Sequence, residues 1–232
     1  MSARYRSVNS GIHTNGSGVT INCPSASPTV GDLVLAFIAV EGGTGVTVTA
    51  TGGWTSLLRA DSTTNVGVEV FYKIAAAGDS YANFFTLGVD GDAVVGSIAI
   101  ADVDQLDPID GSDSLNSAST VSVVAPSVPA TAGRQMFLTF HVAGADSQTS
   151  FTAPYGMTEL LDTSAAGTPT VAICSGFVDL PGQTKYQVAT AAAAFVNIGM
   201  AVSFNGDRRS IEQYGEVRMH DGTFGEVLMA PA

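Results

Sequence analysis

The chain has little charge, and least of the positive kind. Asp, Glu, Lys and Arg make up 13% of its 232 residues, and nine basic side chains stand against twenty-one acidic ones, for a formal charge of -12. Such a balance repels a phosphate backbone, so no nucleic-acid partner is expected. With 45% hydrophobic residues the composition also lies far from that of disordered chains or coiled coils. Cysteine is scarce: Cys23 and Cys174 are the only two, too few for a disulfide framework or a cysteine zinc site. They either pair in one disulfide or lie apart as buried thiols acting as small hydrophobes, the simpler reading. No apolar run reaches the ~18 residues of a membrane-spanning helix. The opening Met1-Ser2-Ala3-Arg4-Tyr5-Arg6-Ser7 leads into polar residues and glycine, not into the apolar stretch of a secretion signal. The expectation is a soluble chain made in the cytoplasm, with no membrane partner. Helical periodicity with caps is missing. So are the His-Glu-x-x-His, Gly-x-Ser-x-Gly, Walker and dinucleotide-binding patterns, which leaves a non-enzymatic protein as the expectation.

Repetition fills the space that motifs leave. Val19-Thr20-Ile21-Asn22-Cys23-Pro24-Ser25 returns as Val121-Ser122-Val123-Val124-Ala125-Pro126-Ser127, and Gly53-Trp54-Thr55-Ser56-Leu57-Leu58 returns as Gly156-Met157-Thr158-Glu159-Leu160-Leu161. Leu35 and Phe37 map onto Leu138 and Phe140, Val68 and Val70 onto Val171 and Ile173, and Val95-Gly96 onto Ile198-Gly199. Common order at an offset of 102 to 103 residues points to a duplicated unit, spanning about 19–104 and 121–206.

Each copy reads as short strands. Residues 33–40 form a continuous apolar run between Gly31-Asp32 and Gly42-Gly43, as a fully buried strand would. Residues 66–74 mix β-branched and aromatic side chains near a period of two, and 94–103 add a strand in which Gly96 admits a close neighbour. The second copy repeats the order at 136–142, 158–162, 171–178 and 195–204. Turn chemistry separates these strands at Ala165-Ala166-Gly167-Thr168-Pro169 and Leu180-Pro181-Gly182-Gln183. Ala191 to Ala194 reads as the lead-in to a strand. The fold class expected is all-β: a jelly-roll-like β-sandwich built from two pseudo-repeats across residues 1–206. Two small tandem sandwiches also fit. A single sandwich is favoured because a five-strand unit alone has a thin core and the link 106–120 holds no long Pro/Gly spacer.

Candidate sites lie where the repetition fails. Asp102, Asp104, Asp107, Asp110 and Asp113 gather in the link, and Asp104, Asp107 and Asp110 are the candidate ligands for calcium, a hard cation that collects oxygens. The EF-hand pattern is not met, and a solvated acidic loop is the plainer alternative. Residues 207–232 read as a C-terminal arm or hairpin, since Gly215-Glu216-Val217-Arg218-Met219 recurs as Gly225-Glu226-Val227-Leu228-Met229. Val217, Met219, Phe224, Val227, Leu228 and Met229 are its candidate partner-binding residues, packing on the chain's own sandwich or on a neighbouring subunit. His13, His141 and His220 sit in unrelated contexts: a leader, a strand and the tail. Trp54, the only tryptophan, could stack on a sugar ring, but Met157 at the matching place points to a core position that needs bulk. Phe84 and Phe85 should fall on opposite faces of a strand.

Several of these blocks resemble a family of β-sandwich accessory proteins of tailed bacteriophages and prophages. The resemblance rests on Val30-Gly31-Asp32-Leu33-Val34-Leu35-Ala36-Phe37, Gly52-Gly53-Trp54-Thr55-Ser56-Leu57-Leu58, Val70-Phe71-Tyr72-Lys73-Ile74-Ala75, Asp107-Pro108-Ile109-Asp110 and Ala153-Pro154-Tyr155-Gly156-Met157-Thr158, and covers roughly residues 19–206. It implies a virion surface component, such as a head decoration or cement protein; with the duplicated sandwich, the acidic balance and the apolar arm, the expectation is a protein assembled in the host cytoplasm that binds the major capsid protein as a homo-oligomer, a homotrimer. The alternative it implies is a tail or fibre part that binds host-surface carbohydrate. No catalytic residues come with it.

Overall fold

A strand with no polar side chain, such as 33–40, is stable only where both of its faces are covered. The computed structural model, which describes residues 2–15, 17–79, 85–144, 149–207, 214–218 and 224–228 (the last two stretches as backbone), shows how that is done. The first half of the chain supplies β1 (Arg4–His13), β2 (Thr20–Ile21), β3 (Leu33–Glu41), β4 (Val48–Ala50), β5 (Thr55–Ser62), β6 (Val66–Ile74), β7 (Phe85–Leu87) and β8 (Ala93–Ala101). The second supplies β9 (Ile109–Ala125), β10 (Pro129–Ala130), β11 (Gln135–Ala143), β12 (Phe151–Thr152), β13 (Thr158–Thr163), β14 (Thr170–Val178), β15 (Gly182–Gln183) and β16 (Gln187–Phe204). Beyond them β17 (Tyr214–Arg218) and β18 (Phe224–Leu228) pair with each other. Among the described residues the only helical segment is a 3-10 turn at Gly43–Gly45.

Two antiparallel sheets face each other. One runs β1-β8-β3-β6-β5, and the other β9-β16-β11-β14-β13. Leu35, Phe37, Val70 and Ile98 of the first sheet and Leu138, Phe140, Ile173 and Met200 of the second belong to one continuous core. At its centre the Phe37 and Phe140 rings meet with centroids 6.1 Å apart.

The outer face of each sheet is covered in turn. On the first, the small sheet β2-β7-β4 lays Ile21, Phe85 and Leu87 against Ile38, Val40, Phe71 and Val95. On the second, β9 and β16 bend out of the main sheet, with register shifts between Thr190 and Asn197, and run on as an outer layer in which β12 pairs with β16. Val123, Phe151, Ala189 and Ala191 of that layer cover Ala143 and Ala172. A four-layer stack results, which is why β3 and β8 carry almost unbroken apolar runs and why every residue of β3, β8 and β11 but the last of β3 lies inside, the polar Gln135, Thr139 and His141 of β11 included.

The structure revises three expectations. Residues 4–13, read as a leader, form β1, and most of the acidic link forms β9. Both are edge strands of the main sheets, each hydrogen-bonded to one neighbour there, so one side meets solvent and apolar periodicity never develops. Gly96 and Gly199 are not equivalent. Phe37 pairs with Gly96 but Phe140 with Met200, so the match slips by one residue. Gly96 faces the Phe37 ring inside the core, whereas Gly199 faces outward beneath Val124.

Candidate functional site

Edge strands β1 and β9 each contain a bulge near the start. The first places Arg6 as the extra residue between Tyr5 and Ser7, and the second places Asp110 between Ile109 and Gly111. A bulged residue is re-aimed away from the ladder, and both side chains use that freedom in the same way. Arg6 reaches the buried Asp32 through Nε at 2.5 Å and Nη2 at 3.0 Å, while Asp32 also accepts the Thr29 N–H at 2.7 Å. The hydrogen bond to Asp32 raises the Arg6 pKa above its ordinary value. Asp110 accepts the Thr131 N–H at 2.7 Å, the Thr131 hydroxyl at 2.8 Å and the Gln135 amide at 2.8 Å, while Gln135 Oε1 accepts the Ala132 N–H at 3.1 Å. In both halves a bulge side chain ties the edge strand to the turn that feeds the central strand.

The other acidic residues of the link have local tasks. Asp104 Oδ1 accepts the Leu106 N–H at 3.0 Å, the Asp107 carbonyl accepts the Asn205 amide at 2.9 Å, and Asp102 pairs with Arg4 at 2.6 Å. Among the described residues no three Asp, Glu, His or Cys side chains come together as a metal site. The structure therefore does not gather Asp104, Asp107 and Asp110 into one ligand set.

At the end of the sandwich where β8 and β16 finish, Val103 and Gly206 form an antiparallel bridge. Asp104 N–H donates to the Asn205 carbonyl and Asp207 N–H to the Asp102 carbonyl, both at 2.9 Å. The chain leaves toward its arm from this bridge. Strand register brings to the same end the loops that carry Val30, Leu106, Tyr155 and Leu180, all exposed, with Leu106 at 97% and Tyr155 at 103%. In the arm, Val217 pairs with Gly225, Arg218 with Phe224, Gly215 with Val227 and Tyr214 with Leu228. The candidates Met219 and Met229 lie outside the described residues.

The opposite end carries a polar groove. A cavity of about 340 Å³ lined by Glu41, Asn65, Ser119 and Phe195 adjoins one of about 460 Å³ lined by Asp61, Thr63 and Asn116, and the two share Asn65, Ser119 and Val196. Asn116 spans from β9 to the facing sheet, donating to the Asp61 carbonyl at 2.7 Å. At the rim, Thr63 holds a left-handed φ of 54°, rare for a β-branched residue. Its carbonyl takes the Thr44 N–H at 2.9 Å and its hydroxyl the Asn65 amide at 3.0 Å, which fix the turn.

The remaining candidates make contacts within the sandwich and its outer layers. His141 is fully buried. Its Nδ1, 3.1 Å from the Val123 carbonyl, must carry the proton, which leaves Nε2 to accept from the Thr139 hydroxyl at 3.0 Å. Burial pushes its pKa down to about 4, so the ring is neutral and joins the second sheet to its outer layer. Trp54 is half-buried against the outer cluster, not in the central core; its ring lies 5.5 Å from Phe85, with Lys73 Nζ 5.4 Å from its centroid. Cys23 and Cys174 are separate buried thiols, both pushed up to about 12 by burial. Phe85 points into the outer cluster, and Phe84 lies outside the described residues. Arg59, which no motif flagged, clamps the 3-10 turn by donating to the Gly43 and Val46 carbonyls at 3.1 and 2.9 Å while paired with Asp61 and Glu69.

No protein-family model, curated protein or solved structure matches the chain.

Proposed function

We propose that this chain is a non-enzymatic structural protein of a bacteriophage virion, a decoration or cement protein that binds the outer surface of the head, against the major capsid protein, as a homotrimer. The observation that carries the reading is the end face from which the arm departs. Val30, Leu106, Tyr155 and Leu180 stand exposed there, beside the exit of a separate strand pair. Other exposed apolar side chains lie elsewhere, but these four are among the most exposed of them, and such a group at one end suits a contact surface. Repetition on a symmetric shell lets modest contacts add. The acidic balance suits the outward-facing remainder. The motif resemblance supplies the identity of the particle.

The two main sheets are, on this reading, copies of one unit. Their strand orders correspond member by member, and the bulge between Ser56 and Leu58 recurs between Glu159 and Leu161. The bulge residues Arg6 and Asp110 correspond as well, which extends each copy to an edge strand that sequence matching left out. Of the jelly-roll likeness only the facing sheets are retained, because residues 4–101 build one sheet and 109–204 the other.

Size-exclusion chromatography with light scattering on the full chain, on Leu106→Asp with Leu180→Asp, and on a chain ending at residue 207 tests the assembly. The trimer should survive only in the full chain. A monomeric full chain, or trimers of unchanged mass in both variants, would count against it.

A further inference from the structure

We infer that the polar groove at the end opposite the arm is a binding site for a neutral saccharide. Its lining supplies what a sugar recognises. Asn65 and Asn116 bring amide groups, each held in place by one hydrogen bond from its NH2, to Thr63 and to the Asp61 carbonyl; Ser119 brings a hydroxyl and Glu41 a carboxylate, while Phe195 and Val196 give apolar surface for the C–H face of a pyranose ring. The two adjoining cavities, about 340 and 460 Å³, fall within the ~300–1,000 Å³ range of small-molecule sites. The charge of the lining bears on the ligand class: Glu41 and Asp61 line it, Asp61 already paired with Arg59, and neither Lys nor Arg does, so the groove offers no cation to an anionic sugar.

Two observations mark the groove as a built feature. Thr63 is held in a left-handed conformation at its rim, a strain that persists only where the surroundings fix it, here through Thr44 and Asn65. The groove also straddles the two sheets. Asn65 comes from the β5–β6 turn of one and Ser119 and Phe195 from the bends of β9 and β16 in the other, with Asn116 locking the seam. Binding here needs no shell and no trimer, so the inference stands or falls apart from the proposed function.

The test is a nuclear magnetic resonance titration of the isotope-labelled full chain with maltohexaose, cellohexaose, chitohexaose and dextran, and with sialyllactose as the anionic comparison. At least one neutral glycan should shift the amides of residues 61–65, 116–119 and 194–196. Ala194→Trp, which fills the groove, should weaken that binding at least tenfold with melting temperature unchanged, and Asn65→Ala, which also releases the Thr63 turn, should weaken it at least tenfold with a lower melting temperature. Silence from every neutral glycan, shifts confined to another surface, binding of sialyllactose alone, or equal affinity in both variants would overturn the inference.

Discussion

Replacing Asp110 by Ala separates two accounts of the acidic link. In the structure its carboxylate takes three hydrogen bonds, two from Thr131 and one from the amide of Gln135, a residue only 3% exposed. Hydrogen bonds to a charged acceptor contribute ~1.5–3 kcal/mol each when buried, and less at an exposed partner such as Thr131. Together the loss comes to about 2–4 kcal/mol, since truncation also strands a buried amide donor. For a chain of this size ~2–4 °C of melting temperature follows each kcal/mol, so Asp110→Ala should melt roughly 5–15 °C below the parent. Asp110→Asn, which keeps an acceptor oxygen, should lose about half as much. A calcium site predicts otherwise, because a cation at 100 times its Kd would add ~2.7 kcal/mol to the parent and nothing to the variant. Calorimetric melts of parent and variants in EDTA and in millimolar calcium decide the matter. A variant melting within about a degree of the parent, or a parent that drops to the variant's temperature in EDTA, would refute the reasoning.

Three further outcomes follow from the core. His141 is protonated only near pH 4 in the folded chain but near 6.5 when unfolded. The unfolded state therefore binds more protons below 6.5, and stability should fall by about 3 kcal/mol between pH 6.5 and 4. His141→Leu should flatten that slope in denaturant titrations; an unchanged slope would place the effect elsewhere. Gly96→Ala puts a methyl 2.4 Å from the Asn9 carbonyl and 2.5 Å from the Phe37 ring, and should cost about 1–3 kcal/mol, whereas Gly91→Ala meets nothing within 4 Å and should be neutral. Equal melting of the two would contradict the packing described. Cys23 and Cys174 should resist a thiol reagent at pH 8 until the chain unfolds, and labelling as fast as free cysteine would show that the outer layers do not cover them.

The central strands were legible because burial on both faces leaves an apolar run, as at 33–40, and a left-handed turn leaves glycine, as at Gly53 and Gly156 with φ of 79° and 80°. The edge strands were not. Ser, Asn and Asp in β1 and β9 read as loop, since an edge is stabilised by one ladder and needs no apolar face. The role of Asp110 was hidden for the same reason: its carboxylate is aimed by a bulge in an edge strand, as the Arg6 guanidinium is, and neither bulge has a sequence signature. The groove had no signature either, because its residues come from distant segments, the end of β3, the β5–β6 turn and the bends of β9 and β16 among them, that meet only when the two sheets pack.

Cryo-electron microscopy of particles that contain this chain tests the central proposal most directly. The account predicts trimeric density on the outer surface of the head, with the end that carries Leu106 and Leu180 against the major capsid protein. Density confined to the tail or fibres, or seated on the head by the opposite end, would contradict it.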